Sequence, residues 1–439
     1  MFCSAPNIPA LVRLSNGVLE GAQEPNLDDA RALAIPARAD HNDVRRNNLE
    51  LVLRHLKAVG SDSRAGIAAR GGLTRATVSR LVGELIELGL VREAGRDGGG
   101  RVGRPGTRLE LDGQHVLAVG AEVNVDYVSL LAIDFAGREV LRRRRAFDAV
   151  LAGPRASIAA LAELCATALG DLTARRRERA TIVAGLTVAI PGLVDVAAGV
   201  VANAPNLRWR DLPVAALLRQ GLGLDRAPVQ VGNDANLAAI AEYRVGVAAG
   251  TPNLVYITGE VGIGGGIIVG GQPLLGTRGY GGEIGHMNID PNGPQCACGR
   301  RGCWEAYIGL NALMEHVGSD PPQDAPPEAK VEPVARRARA GDRDALAVLE
   351  ELGRRIGIGA ANITNVVDPQ VIILGGYFVD LAQWILPAAK QALAAGAIAP
   401  NAEGPQLITS TLGFAAAARG GAIDAMNAVM SNPTMLLAR

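Results

Sequence analysis

The sequence predicts an α/β protein in two parts, a small helical module in front of a larger body in which strands alternate with helices. Two observations carry this. From Ser63 to Val91, SRAGIAARGGLTRATVSRLVGELIELGLV has the spacing of a helix-turn-helix. Beyond Asp112 the composition turns Ala-, Val- and Gly-rich, and β-prone runs alternate with helical periods. At 439 residues and 48% apolar, the chain has room for two or three domains with sizeable cores.

Composition excludes several classes. No run of about 18 uninterrupted apolar residues exists and the N-terminal stretch lacks a signal-peptide pattern, so the expectation is a cytoplasmic protein without membrane spans. Five cysteines, three of them within eight residues, make a poor disulfide framework and a better metal site. Net charge is zero overall, yet residues 41–110 hold thirteen Lys/Arg against eight Asp/Glu, a surplus of five that suits a polyanionic partner.

Residues 1–40 show no sustained period and read as a loose tail with no assigned function. From Asn47, Leu49, Val52, Leu53, Leu56 and Val59 fall at helical spacing and build one apolar face. A short helix from about Arg64, a Gly71-Gly72 turn, a Thr74 cap and a longer helix to about Leu88 follow. Val78, Leu81, Val82, Leu85 and Ile86 face inward on the longer helix. Thr74, Arg75, Thr77, Ser79 and Arg80 occupy its N-terminal end, where recognition helices meet base edges and phosphates. LVREAGRDGGGRVGRPGTRLEL then reads as the hairpin wing of a winged helix, with Arg101 and Arg104 at its tip placed to reach phosphate or minor groove.

In the body, HVLAVGAEVN, YVSLLAID and EVLRRRRAF read as three successive strands, the third carrying Arg142 to Arg145 as an edge or surface run. SIAALAELCATALGDL reads as a helix and TIVAGLTVAIPGLVD as a buried strand ending in a Pro191-Gly192 turn. This order, with further αβ units downstream, predicts a mixed sheet with helices on both faces. The turns in IPGLVD, VGNDANLAAIAEY and TGEVGIGGGIIVGG fall at strand ends, where ligands collect in open α/β sheets. Asp234, after the strand PVQVG, reads either as a general base toward a hydroxyl or as a helix cap supported by Asn233.

In GHMNIDPNGPQCACGRRGCWE, His286, Cys296, Cys298 and Cys303 supply one imidazole and three thiolates, the donor set of a closed, structural zinc site. The Pro, Gly, Asn and Arg residues around them do not make a core. An imidazole held by a metal through one nitrogen keeps a second N–H for a ligand hydroxyl. With Asn233, Asp234, Glu283 and Glu305 it would form a polar pocket without fixed positive charge, suited to a neutral, polyhydroxylated ligand.

At GGEIGH, CACGRRGCWE, VGNDAN, GEVGIGGGIIVGG, IPGLVD, NAPNLRW and NVVDPQVIILGG the chain resembles the ROK family, from about Arg45 onward. That family contains sugar-responsive transcriptional repressors and sugar kinases of the two-lobed actin-like ATPase, or ribonuclease H-like, fold. The resemblance implies zinc at His286, Cys296, Cys298 and Cys303. It implies sugar contacts at Gly192, Asn206, Asn233, Asp234, Glu283, His286 and Glu305, and it places Asp234 where the kinases keep their base.

One departure separates the branches. The kinases carry Asp-x-Gly-x-Thr after the first strand, where small residues let backbone and hydroxyl groups approach ATP phosphates. Here the turn is GAEVNVDYV, with Glu122 for the Asp and Asn124 and Asp126 where Gly and Thr would stand. Added bulk and negative charge beside the phosphates predict a non-enzymatic, sugar-responsive repressor that has lost ATP phosphate binding. The alternatives are a sugar kinase with an appended DNA-binding module and a protein that does both. The expected organisation is a tail (1–40), a winged helix-turn-helix (41–110) and a sugar-binding domain (111–439). The second lobe would begin near residue 233 and the C-terminal helices would return to the first lobe. Expected partners are operator DNA, a monosaccharide or derivative, and a second copy in a homodimer or dimer of dimers.

Overall fold

The computed structural model describes residues 41–96, 107–175, 181–223, 227–318, 327–398 and 404–436. The chain divides after Val44, and of the part before that point only residues 41–44 are described. The wing residues Arg101 and Arg104, like the tail 1–40, lie outside the described residues.

The front module is a three-helix unit with a small sheet. Helix α1 (His41–Val59) opens ahead of its apolar face, and Leu49, Val52, Leu53 and Leu56 are fully buried. Val59 departs from expectation: it is 49% exposed at the last residue of the helix. Strand β1 (Ser61–Ser63) precedes α2 (Arg64–Gly71), which Ser63 caps by accepting from Gly66 N at 3.1 Å and which Gly72 ends at φ 64°. Helix α3 (Arg75–Glu87) is capped by Thr74, whose Oγ1 accepts from Thr77 N at 3.1 Å. Asp62 ties α1 to α2 by accepting from His55 Nε2 at 2.7 Å and from Arg70, and Arg45 clamps Glu84 of α3. Strands β2 (Val91–Arg96) and β3 (Thr107–Leu111) form the wing, and β1 adds to the far side of β3. The Ser-Asp-Ser strand carries no apolar alternation, which is why the sequence does not announce it.

Lobe one is a five-stranded mixed sheet. Strands β4 (Val116–Val123), β5 (Tyr127–Asp134) and β6 (Glu139–Ala146) run as an antiparallel meander. The kinked helix α4 (Ala149–Arg175) follows, and β7 (Ile182–Ile190) pairs parallel with β4. Helix α4 breaks at Gly153, φ 78°, just before Pro154. It is long and apolar enough to cross a membrane by composition, and Leu161, Cys165 and Ala168 bury its face against β4 and β5. Strands β8 (Leu193–Asp195), β9 (Val200–Ala204) and β10 (Trp209–Leu212) make a small separate sheet, followed by α5 (Val214–Leu222). Strand β11 (Val229–Asn233) completes the order β11-β7-β4-β5-β6. The arginine run lies on the edge strand β6, where Arg142, Arg144 and Arg145 pair with Glu139, Glu328 and Glu163.

Helix α6 (Asp234–Val245) leaves lobe one and packs on lobe two, on β12 (Leu254–Gly259) and β13 (Ile263–Val269). Short strand β14 (Gln272–Pro273) extends that sheet; helices α7 (Glu305–Ile308), α8 (Leu310–Val317), α9 (Glu332–Arg339) and α10 (Arg343–Val367) follow. Strand β15 (Val371–Gly376), α11 (Phe378–Gly396) and β16 (Gln406–Thr409) complete the order β14-β13-β12-β15-β16. Trp304, Tyr377 and Phe378 centre its core. Helix α12 (Ala416–Ser431) then returns to pack on β4 and β7.

The lobes thus exchange helices, and α6 and α12 meet where they cross. Contact is backbone on backbone: a Cβ at Gly420 would lie 1.8 Å from Leu237 O, and one at Gly120 of β4 would lie 1.7 Å from Ala418 O. Gly120→Ala should therefore destabilise by more than the ~1–3 kcal/mol of ordinary overpacking, read as a lowered melting temperature, because backbone cannot step aside as a side chain can. A melting point within a degree or so of wild type would count against this packing.

Candidate functional site

A cleft of about 430 Å³ opens between the lobes. All seven residues expected to touch a sugar line it, brought from five segments distant in sequence. Gly192, φ 140°, turns the chain after β7, and its carbonyl accepts from Asn233 Nδ2 at 3.1 Å. Asn206 stands on the 3₁₀ turn Pro205–Leu207. Asn233 itself caps α6, its Oδ1 accepting from Asn236 N at 2.9 Å, so the cap is Asn233. Asp234, the first helical residue, lines the cleft, and burial pushes its carboxyl up to about 6 against hydrogen bonds from the Ala235 and Asp234 amides. Glu283 and His286 bracket the 3₁₀ turn Ile284–His286. Glu283 is exposed as a residue, yet its carboxyl is pushed up to about 7, first by burial and then by Asp234 and Glu305. Glu305 Oε2 accepts from Ile263 N at 2.9 Å, fixing the carboxylate across the cleft floor.

The structure also brings in residues the sequence reading did not single out. Asn203 and Glu260 line the cleft, and Arg300 sets one exposed cation among its lining residues, which corrects the expectation of a pocket without fixed positive charge.

Behind His286, the three cysteines come from a tight knuckle. Cys296 N donates to Arg300 O at 2.8 Å, and Gly299 N donates back to Cys296 O at 3.0 Å. Trp304 anchors the knuckle in the lobe-two core, its Nε1 donating to Arg355 O at 2.9 Å, and Gly359 packs so closely on the indole that a Cβ would sit 2.1 Å away. The four donor atoms all lie within 4.8 Å of one another. Cys298 and Cys303 Sγ are 3.6 Å apart, and Cys296 Sγ is 3.8 Å from His286 Nδ1. A tetrahedral ion with metal–sulfur bonds of about 2.3 Å sets donor separations of roughly 3.5–3.8 Å, the spacing these two pairs already have, so the donor set fits a metal. Nδ1 faces the cysteines, which leaves Nε2 over.

The β4–β5 turn is occupied by its own hydrogen bonds. Glu122, 1% exposed, accepts from the Tyr127 hydroxyl at 2.7 Å and from Asn124 Nδ2 at 3.3 Å. The same Nδ2 donates to Glu260 of lobe two, so carboxylates from both lobes share one amide. Burial, and behind it the charge of Asp234, push Glu122 up to about 7, against the Tyr127 hydrogen bond. Burial and Glu122 hold Glu260 well above the ordinary carboxylate range. Asp126 departs from the sequence expectation, because its carboxylate pairs with Lys330 and is offset by it. The carboxyl laid against Asn124 at this end of the cleft is that of Glu260 instead.

In the module, Thr74, Arg75, Ser79 and Arg80 are exposed on the N-terminal half of α3. Thr77 is half-buried, its Oγ1 2.8 Å from that of Thr74, which commits it partly to the cap.

A sequence model of the ROK family matches residues 120–427, well over half of the chain. The chain belongs to the ROK family. A MarR family model matches residues 51–101 within the front module. The xylose repressor of Bacillus subtilis (strain 168) is 29% identical over 382 residues, covering 87% of this chain and 95% of its own. Among solved structures, a ROK family transcriptional regulator, homolog of the E. coli MLC protein, superposes with a TM-score of 0.73 at 23% identity, covering 90% of this chain and 98% of its own. A ROK family glucokinase from Streptomyces griseus, solved with glucose and AMPPNP, gives a TM-score of 0.59 at 26% identity over 71% of this chain and 99% of its own. The fold is therefore the winged helix followed by the two-lobed actin-like ROK domain that the resemblance implied.

The raised carboxyls of this ROK cleft make stability depend on pH with a definite sign. A carboxyl whose folded pKa lies above its unfolded value binds its proton more tightly in the fold. Its contribution to stability is then greatest below about 4.5 and is lost as pH rises toward about 7. Glu122→Gln should flatten this decline by up to about 1.4 kcal/mol per pH unit, followed by urea unfolding across that window. Parallel pH profiles for variant and wild type would show that Glu122 ionises normally.

Proposed function

We propose that the protein is a cytoplasmic, sugar-responsive transcriptional repressor of carbohydrate-metabolism genes. In this reading it holds a neutral monosaccharide in the interlobe cleft and reads a palindromic operator with α3 as a homodimer. The observation that carries this is one chain joining a helix-turn-helix with an exposed Arg75, Ser79 and Arg80 face to a cleft that presents hydroxyl acceptors and amides. The B. subtilis xylose repressor supports it, because its match spans both parts, whereas the glucokinase likeness covers a smaller share of the chain.

In this reading Asp234, Glu283 and Glu305 accept from sugar hydroxyls, Asn206 and Asn233 supply amides, and His286 Nε2 donates. Held by His286, Cys296, Cys298 and Cys303, a zinc ion would supply structural closure of the knuckle and a fixed orientation for that imidazole. Phosphoryl transfer is disfavoured at the β4–β5 turn. Glu260 and Glu122 stand there around Asn124, where a triphosphate would need donors and small residues. Asp234 remains in place as a would-be base without that cradle.

Fluorescence anisotropy on operator DNA tests the reading. Arg75→Ala and Arg80→Ala should each cost about 1–3 kcal/mol of operator affinity, while Glu283→Ala should bind operator normally and lose the response to sugar. Equal binding of operator and random DNA by wild type and both arginine variants would defeat the assignment of α3. A normal sugar response in Glu283→Ala would show that the sugar sits elsewhere.

The metal has its own test. Elemental analysis should return about one zinc per chain, and Cys298→Ser should lose it and weaken sugar binding by about tenfold or more, as orienting partners of metal ligands do. Full sugar affinity in the metal-free variant would separate the knuckle from the cleft.

A further inference from the structure

The element that opens the cleft also ends beside the DNA-binding module. Helix α6 begins with Asp234 among the cleft-lining residues and runs twelve residues, about 18 Å at 1.5 Å per residue. Near its far end Ala241 is fully buried in the same continuous apolar core as Leu49, Leu53 and Leu56 of α1. Arg244, in its last turn, lies against the ring of Tyr243 at 4.8 Å.

Helix α12 lies across α6 with no side chain between the backbones at Gly420 and Leu237, so neither helix can shift without the other. The far end of α12 then meets α1 directly. Met430 Sδ accepts from Lys57 Nζ at 3.7 Å, and Ser431 Oγ lies 3.3 Å from both Arg54 and Glu50. Lys57 is exposed as a residue, yet its ammonium is drawn into this junction. Burial, and then Arg244, hold its pKa below the usual lysine value. Met426, Val429 and Met430 belong to the same core as the α1 leucines.

We propose that the crossed pair α6 and α12 is the transmission of the regulatory response: a sugar in the cleft displaces α6 at Asp234, the Gly420–Leu237 crossing makes α12 follow, and the junction at Met430 delivers the shift to α1 of the DNA-binding module. This rests on the sugar and DNA readings proposed above. The coupling is mechanical because both helices end in one apolar core with α1, and packed cores switch between discrete arrangements instead of deforming smoothly.

Two substitutions outside the cleft and outside the DNA-facing side of α3 test it in the full chain, with D-xylose, D-glucose and N-acetyl-D-glucosamine as probes. Sugar binding is read by calorimetry and operator binding by anisotropy. Wild type should show an operator affinity shifted about tenfold by the sugar it binds. Met430→Ala opens a gap between α12 and α1, far from the cleft. It should keep sugar and operator affinities within about threefold while the sugar-induced shift falls to about twofold or less. Met430→Leu, which refills the gap, should restore it.

Hydrogen exchange on wild type gives a readout that does not depend on the variants folding. Bound sugar should change protection in residues 234–245, 416–431 and 47–59 together. A full shift in Met430→Ala, or a sugar response with exchange at 47–59 unchanged, would overturn the transmission and leave the sugar reading standing. If none of the three sugars binds wild type, both readings fall together, and the calorimetry alone shows it.

Discussion

Everything in this molecule hangs on a place where two backbones touch. Helix α6 leaves lobe one to pack on lobe two, helix α12 leaves lobe two to pack on lobe one, and they meet at Gly420 with nothing but main chain between them. Gly120 and Gly421 extend the contact into the lobe-one sheet, where a Cβ at Gly421 would sit 2.8 Å from Thr187 O. Larger residues would hold the lobes apart and move the start of α6. That start shapes the cleft, because Asn233 caps the helix and holds Gly192 while Asp234 beside it lines the cleft. Close packing thus sets the position of a cleft-lining carboxyl to within the tolerance of a core contact.

The second constraint is electrostatic. Asp234, Glu260, Glu283 and Glu305 line one cleft, with Arg300 exposed among the other lining residues. Like charges at short range in a poorly solvated space cannot all ionise: burial raises Asp234, and burial together with the charge of Asp234 raises Glu122 and Glu283. Such a cleft repels phosphate and welcomes hydroxyls, since a carboxyl accepts a hydroxyl hydrogen bond in either protonation state. The same arithmetic separates this chain from its kinase relatives more firmly than the Asn124 substitution alone. Asp126, the residue the sequence pointed to, is offset by Lys330, and Glu260 fills the turn from lobe two by accepting from Asn124.

How much of this was legible beforehand depended on whether the signal was local. The helix-turn-helix was, because caps and apolar period are short-range: Thr74 and Ser63 do what their residue types do at helix starts. The gathering of His286 with the three cysteines was too, since four soft or imidazole donors in one short stretch are readily brought to one point. Strand β1 was not, because Ser61–Ser63 becomes a strand only when Arg108–Glu110 arrives beside it. Val59 misled for a related reason, since a periodic position at the end of a helix has no partner across from it. Glu260 escaped because a carboxylate inside a glycine-rich turn reads as solvent-facing until the fold lays Asn124 over it. Arg300 escaped because the knuckle turns it back toward the cleft. The Gly420 crossing has no signature beyond a run of small residues.

The merger of the front module with the C-terminal helix explains why a unit of this size can serve as an output. A winged helix of about seventy residues buries a modest core and is marginal on its own. Here α1 shares its apolar face with Met426, Val429 and Met430, so part of the module's stability is supplied by the last long helix of the other domain. A module that stood free on a linker would keep its DNA affinity whatever happened in the cleft. One that shares a core must repack when its support moves, and the free energy of that repacking is what a small ligand can redirect. The ligand can contribute no more than its preference for one arrangement of α6 over another. An interface of tightly packed small residues, which converts a slight displacement into a change of register, is therefore the form of support that makes a modest preference count.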